Sequence, residues 1–152
     1  MLKDEVNILR QVPLFAGVAP AKLKLLAFAS DRVSYRPGEV VFKQGDPGDA
    51  AYVVLEGKAD ILAEANGGLI KVAEVSGYQI VGEIANLCDV SRTATVKASS
   101  TLEALRIRKD DFLTLLADYP DVMFEILRSL AQRLTRTTAE LTDARAQIKG
   151  MN

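Results

Sequence analysis

Val81-Gly82-Glu83-Ile84-Ala85-Asn86-Leu87, followed by Arg92-Thr93-Ala94-Thr95-Val96, is the stretch from which the rest of the chain is read. A glycine ahead of Glu83 lets the backbone turn, or approach another group, where a Cβ would clash. With Ile84 to Leu87 in one turn of helix, the amides of Glu83, Ile84 and Ala85 point at a common spot, and unpaired N–H groups of that kind suit an anion. Arg92 reaches the same spot with a planar fork that matches paired oxygens. Glu83 repels an anion, so its carboxylate must face a hydrogen-bond donor such as a sugar hydroxyl. Chemistry alone leaves a second reading open, in which Glu83 and Arg92 form a partly buried ion pair that only ties a short helix to a strand.

Outside this stretch the composition is that of one ordinary folded unit: 152 residues, 49% hydrophobic and 26% charged. The formal charge of −1, from 19 basic and 20 acidic residues, offers no surface for a long polyanion and disfavours nucleic acid as a direct partner. Cys88 is the single cysteine and there is no histidine, which excludes an internal disulfide, a transition-metal centre and a histidine-based catalytic triad. No apolar run reaches membrane-spanning length, and Lys3, Asp4 and Glu5 break any signal-peptide pattern, so the expected location is the cytoplasm.

Along the chain, the apolar residues of 1–30 are interrupted by Pro13, Gly17 and Pro20, which predicts two short helices flanking a loop. Leu23, Leu26 and Ala27 share one face of the second. From Val33 the period changes to that of strands. Pro37-Gly38-Glu39, Gln44 to Asp49, Glu56-Gly57 and Asn66-Gly67-Gly68 are turn signals that bound strands at 40–43, 51–55, 58–64 and 69–75. Residues 77–81 lead into the site, and two more strands are expected at 94–98 and 102–108. Short strands at this spacing, with no helical segment between them, predict an antiparallel β jelly-roll barrel, a cupin-like double-stranded β-helix. The fold class is therefore mostly β with flanking helices.

Past the barrel, a short helix from about Lys109, capped by Asp110, carries Phe112, Leu113, Leu115 and Leu116. Tyr119-Pro120 interrupts it and opens a long helix. In that helix Met123, Leu127, Leu130, Leu134, Thr137, Leu141, Ala144 and Ile148 fall on heptad steps. Such a seam is expected to pack on the barrel at its start and on a second copy of itself further along, with Glu140 and Arg145 flanking it. A hydroxyl at the core-type position Thr137 needs a partner; a carbonyl one turn earlier can supply it.

Gly82-Glu83-Ile84-Ala85 and then Arg92-Thr93-Ala94-Thr95-Val96 resemble the phosphate-binding cassette of cyclic nucleotide-binding domains, in both its halves and in the separation of glutamate from arginine. Pro37-Gly38-Glu39, Gly45-Asp46 and Glu56-Gly57 match turns that the same family carries. The resemblance runs over 10–148, with 10–30 as a helical cover, 33–108 as the barrel holding the cassette at 81–96, and 109–148 as the C-terminal helices. The tail further resembles the dimer helix of bacterial catabolite-activator proteins, with Thr137 and Thr138 on the hydroxyl positions over the purine.

The resemblance implies a regulatory switch and no turnover of ligand, since nothing near the cassette marks a metal or a poised base. Arg92 and the amides of Glu83, Ile84 and Ala85 are expected to hold the cyclic phosphate, Glu83 the ribose 2′-hydroxyl, and Thr93 a phosphate oxygen or the base edge. Gly82 and Ala94 complete the cassette. Cyclic AMP (cAMP) is the expected ligand, with cyclic GMP (cGMP) as the alternative because of Thr93. The expected partners are a second copy of the chain, through the C-terminal helix, and a downstream effector protein. A DNA-reading segment of the helix-turn-helix kind is missing from these residues, so a regulatory piece of a larger transcription factor is a further alternative. So is an interaction domain of the same fold with an empty site. A cupin-type enzyme would need the histidine-rich metal centre that this chain cannot build.

Overall fold

Strand-forming sequence separated by tight turns builds the centre of the molecule, and helices close it at both ends. The structure, a computed structural model, describes residues 2–82 and 90–150. Helix α1 (Leu2–Arg10), a 3-10 turn (Pro13–Phe15) and α2 (Pro20–Phe28) precede β1 (Asp31–Tyr35) and β2 (Val40–Phe42). Then come β3 (Ala50–Glu56), β4 (Ala59–Ala65), β5 (Gly68–Val75), β6 (Ile80–Val81), β7 (Thr95–Ala98) and β8 (Leu102–Arg108). Helices α3 (Lys109–Asp118) and α4 (Pro120–Gly150) follow.

The strands form two four-stranded sheets, ordered β1-β8-β3-β6 and β2-β7-β4-β5, and every pairing is antiparallel. This is the expected jelly roll, with strand ends moved by a residue or two and with β6 added inside the segment expected only to lead into the site. The β4–β5 hairpin turns at Asn66 (φ 50°) and Gly67 (φ 83°), the pair of positive φ values that a two-residue hairpin requires and that Asn-Gly adopts at least cost.

Two apolar clusters hold the layers together. Tyr52, Val54, Val81, Val96 and Ala104 meet between the sheets. Val53, Leu105 and Ile107 point the other way, against Leu9, Phe15, Leu23, Phe112, Val122 and Ile126 of the helices. Strands β3 and β8 are thus covered on both faces, which is why Ala51-Tyr52-Val53-Val54-Leu55 reads as an unbroken apolar run rather than an alternation. Each fully buried large side chain contributes about 1.5–3 kcal/mol, and both terminal helical segments supply such residues, so the cover is part of the folding unit.

Two expectations are corrected. Asp110 is not the cap of α3: the helix follows β8 directly, Arg108 holds the N-cap position without a side-chain cap bond, and Asp110 lies in the first turn. The heptad seam does not begin on the barrel either. Val122 and Ile126 are the residues of α4 buried there, while Met123 and Leu127 are exposed and only Leu130 of the seam packs partly against the core. Among the described residues no helix is long and apolar enough to cross a membrane.

Candidate functional site

Arg92 is a charged side chain in the floor of the barrel, 4% exposed as a residue. Its backbone is fixed first. Arg92 N–H donates to the Asp46 carbonyl at 2.8 Å, and Gly45 N–H donates to the Arg92 carbonyl at 2.8 Å, which zips the residue to the Gly45-Asp46 turn. From there the guanidinium runs inward. Nη2 donates to the Ala50 carbonyl at 2.6 Å, Nη1 donates to the Gly82 carbonyl at 3.3 Å, and the group lies over the Phe42 ring with its carbon 4.0 Å from the ring centroid. Phe42 is backed in turn by Tyr52, ring to ring at 5.9 Å.

Among the described residues the charge is only weakly neutralised. Its one ion-pair partner among the described residues, Asp49, stands 3.5 Å from Nη2 with a side chain that is 87% exposed, so water screens the contact. Nε is buried with no hydrogen-bond partner among the described residues. Burial draws the pKa of Arg92 below the ordinary arginine value, and Tyr52, Asp49 and Asp46 offset this only in part. A desolvated cation with an unspent donor gains from an incoming anion.

Gly82 makes this packing feasible. Its φ is +81°, and a Cβ there would come 2.5 Å from Arg92 Nη1 and 3.2 Å from the Ala50 carbonyl. The chain leaves β6 by this glycine because no side chain fits between it and the guanidinium.

Above the floor opens a cavity of about 280 Å³. Phe42, Ile61, Ile80, Val81 and Val96 give it apolar walls; Gly82, Arg92, Thr93 and Ala94 line it from the cassette, and Arg133 from α4. An apolar cleft with a few convergent polar groups is the usual form of a small-molecule site. Its contents would touch barrel and C-terminal helix at once.

Of the residues singled out in the sequence, Gly82, Arg92, Thr93 and Ala94 are brought together. Glu83, Ile84 and Ala85 lie outside the described residues. Thr137 and Thr138 are exposed on α4, one turn past Arg133, and are not among the residues lining the cavity. The Thr137 hydroxyl donates to the Arg133 carbonyl at 3.0 Å, the local bond expected of a hydroxyl in a helix. Arg133 was missed by the sequence reading. The available signal was its spacing, seven residues after Ile126 and hence on the same inward face.

Known proteins resemble this chain in sequence and in fold. A family model described as cyclic nucleotide-binding domain matches residues 32–119. The "CRP-like cAMP-activated global transcriptional regulator" of Mycobacterium tuberculosis is 30% identical over 138 residues, covering 90% of this chain and 62% of that protein's length. The "cAMP-dependent protein kinase regulatory subunit" of Aspergillus niger is 32% identical over 115 residues, 76% of this chain and 28% of that one. Among solved structures, the N-terminal domain of a transcriptional regulator from Streptomyces coelicolor A3(2) superimposes with a TM-score of 0.75 at 33% identity, covering 86% of this chain and 94% of its own. The chain therefore spans under two thirds of the length of either curated relative.

Proposed function

The chain belongs to the cyclic nucleotide-binding domain family, a family of regulatory binding domains and not of catalysts, and on that premise we propose that it is a cAMP sensor whose bound ligand repositions α4 against the barrel. The observation that carries the proposal is the buried, under-neutralised Arg92 guanidinium at the floor of a cavity whose far side is formed by α4.

In this reading Arg92 takes the cyclic phosphate, and the amides of Glu83, Ile84 and Ala85 take its remaining oxygens. Glu83 accepts from the ribose 2′-hydroxyl, which would discriminate against deoxyribose by leaving a carboxylate unpaired. Thr93, exposed at the cavity rim, donates to a phosphate oxygen or to the base edge. The base reaches toward Arg133. Preference for cAMP over cGMP is supported by the names of the mycobacterial and fungal relatives, a cAMP-activated regulator and a cAMP-dependent kinase subunit. It is also supported by Thr137 and Thr138, which would act from the partner copy in a dimer formed along Leu134, Leu141 and Ile148. A ligand that touches both barrel and helix stabilises one placement of α4 over others, which is all that a switch requires. We assign the output to a protein effector rather than to DNA, because a net charge of −1 provides no polyanion-binding surface.

A second reading is favoured by one observation, that Arg92 already donates to Ala50 and Gly82. In it the arginine is a structural tie and the cavity stays empty. Calorimetric titration of cAMP, cGMP and AMP into wild type and Arg92→Ala separates the two. The sensor reading expects cAMP to bind at micromolar concentration or below, cGMP more weakly and AMP weakest, with binding lost in the variant. No heat from either cyclic nucleotide, in a protein whose fold is intact, would overturn it.

A further inference from the structure

One face of α4 changes character along its length. Val122 and Ile126 are buried against the core. At helical steps of three and four the same face continues through Ser129, Gln132, Arg133 and Arg136. From Ser129 onward it is polar and cationic. There it does not close on the barrel but roofs a cavity of about 290 Å³, whose opposite wall is Pro13, Leu14, Val75, Gln79 and Ile80. This cavity is a neighbour of the Arg92 cavity, and Ile80 and Arg133 line both.

One hydrogen bond among the described residues links the two walls. The Ser129 hydroxyl donates to the Pro13 carbonyl at 3.4 Å and fastens the helix to the 3-10 turn. Gln79 is equally constrained: its side-chain oxygen accepts the Ser76 N–H at 2.9 Å, and its own carbonyl accepts the Val54 N–H at 2.9 Å. With that oxygen engaged, the amide presents two N–H donors that have no partner among the described residues. Arg136 forms no ion pair among the described residues. Among the described residues the lining holds two guanidinium groups, of which that of Arg133 is already engaged, two side-chain amides and no carboxylate.

We propose that this cleft is a second, separate binding site for a small multivalent oxyanion of the phosphate or pyrophosphate class. Arg136 and Gln132 hold it from the helix and Gln79 from the barrel. A donor-rich cleft whose described lining carries no carboxylate favours such an anion, and the planar guanidinium fork of Arg136 matches its paired oxygens. The bound anion staples the middle of α4 to the barrel and to the N-terminal cover. Because Arg133 borders both cavities, occupancy of one shifts the affinity of the other, and the coupling is reciprocal.

Thermal unfolding in rising inorganic pyrophosphate, against chloride at matched ionic strength, tests the site in wild type, Arg92→Ala, Arg136→Ala and Gln79→Ala. The expected result is a saturable rise in midpoint of a few degrees in wild type and in Arg92→Ala. Apparent affinity should fall about tenfold or more in Arg136→Ala and by less in Gln79→Ala, with cAMP titrations of Arg136→Ala matching wild type. A rise that survives Arg136→Ala but vanishes in Arg92→Ala puts the anion at the other site and overturns the proposal. So does a midpoint that follows ionic strength alone. The Arg92→Ala arm reads this cleft whether or not the chain binds a nucleotide.

Discussion

The guanidinium of Arg92 lies over Phe42 with its carbon 4.0 Å from the ring centroid, while its Nη2 is 2.6 Å from the Ala50 carbonyl. One face of the cation is thus spent on a ring, and Nη2 and Nη1 on the backbone carbonyls of Ala50 and Gly82, which leaves Nε without a partner among the described residues. The arrangement uses the planarity of arginine as much as its charge. Arg92→Lys keeps the charge but loses the fork and the stacking.

Arg92→Lys is therefore expected to bind cAMP about tenfold or more weakly, and Arg92→Ala about a hundredfold or more weakly, since each charge-assisted hydrogen bond is worth about 1.5–3 kcal/mol. Calorimetry on the purified variants, with circular dichroism as a check on folding, measures this. Lysine binding as tightly as arginine would show that geometry at this position is immaterial.

Gly82→Ala strikes the same group from the backbone side. A left-handed φ of +81° costs a non-glycine residue about 1–3 kcal/mol, and the new Cβ, which would stand 2.5 Å from Nη1, displaces that nitrogen from the Gly82 carbonyl. Lower stability and lower cAMP affinity are expected together. Denaturant unfolding and calorimetry read the two separately, and an unchanged affinity would show that Arg92 does not depend on this close approach.

The sequence exposed the barrel and one half of the site for reasons that can be named. Asn66-Gly67 and the apolar run from Ala51 to Leu55 carry their conformations in local chemistry, so β3, β4 and β5 were readable from residues alone. The depth of Arg92 was not, because it depends on a carbonyl at Ala50 and a turn at Asp46, both more than forty residues away. Two apolar stripes run along α4, one through Val122 and Ile126 and one through Met123 and Leu127, offset by a single residue. Periodicity finds both and cannot say which faces the barrel. Tertiary packing decides that, and with it the inward direction of Arg133.

Alkaline pH gives an independent test of the barrel interior. Burial, and secondarily Tyr52, pushes the Tyr35 hydroxyl up to about 12, whereas an unfolded tyrosine ionises near about 10. The folded state keeps a proton that the unfolded chain has released, so this contribution is whole below pH of about 10 and is lost as pH rises toward about 12. Wild type should lose stability more steeply than Tyr35→Phe across that window in urea unfolding. Tyrosinate absorbance should lose a late-ionising component in Tyr35→Phe. Parallel stability curves for the two proteins would refute the assignment.

The outer stripe of α4 bears on assembly. Leu134, Leu141 and Ile148 are 66%, 54% and 63% exposed, in line along a helix whose inward face is already satisfied by Val122 and Ile126. Covering a leucine contributes on the order of 1.5–3 kcal/mol. Two leucines from each of two chains would then supply about 6–12 kcal/mol, enough to decide a micromolar dimer, which needs about 8 kcal/mol. Leu134→Glu with Leu141→Glu is accordingly expected to convert a dimer to a monomer by sedimentation, with an unchanged circular dichroism spectrum, because neither side chain packs on the barrel. The same change should weaken cAMP binding, since Thr137 and Thr138 would then have no partner cavity to enter. A wild-type protein that sediments as a monomer at high concentration would remove both the dimer and the proposed role of the two threonines.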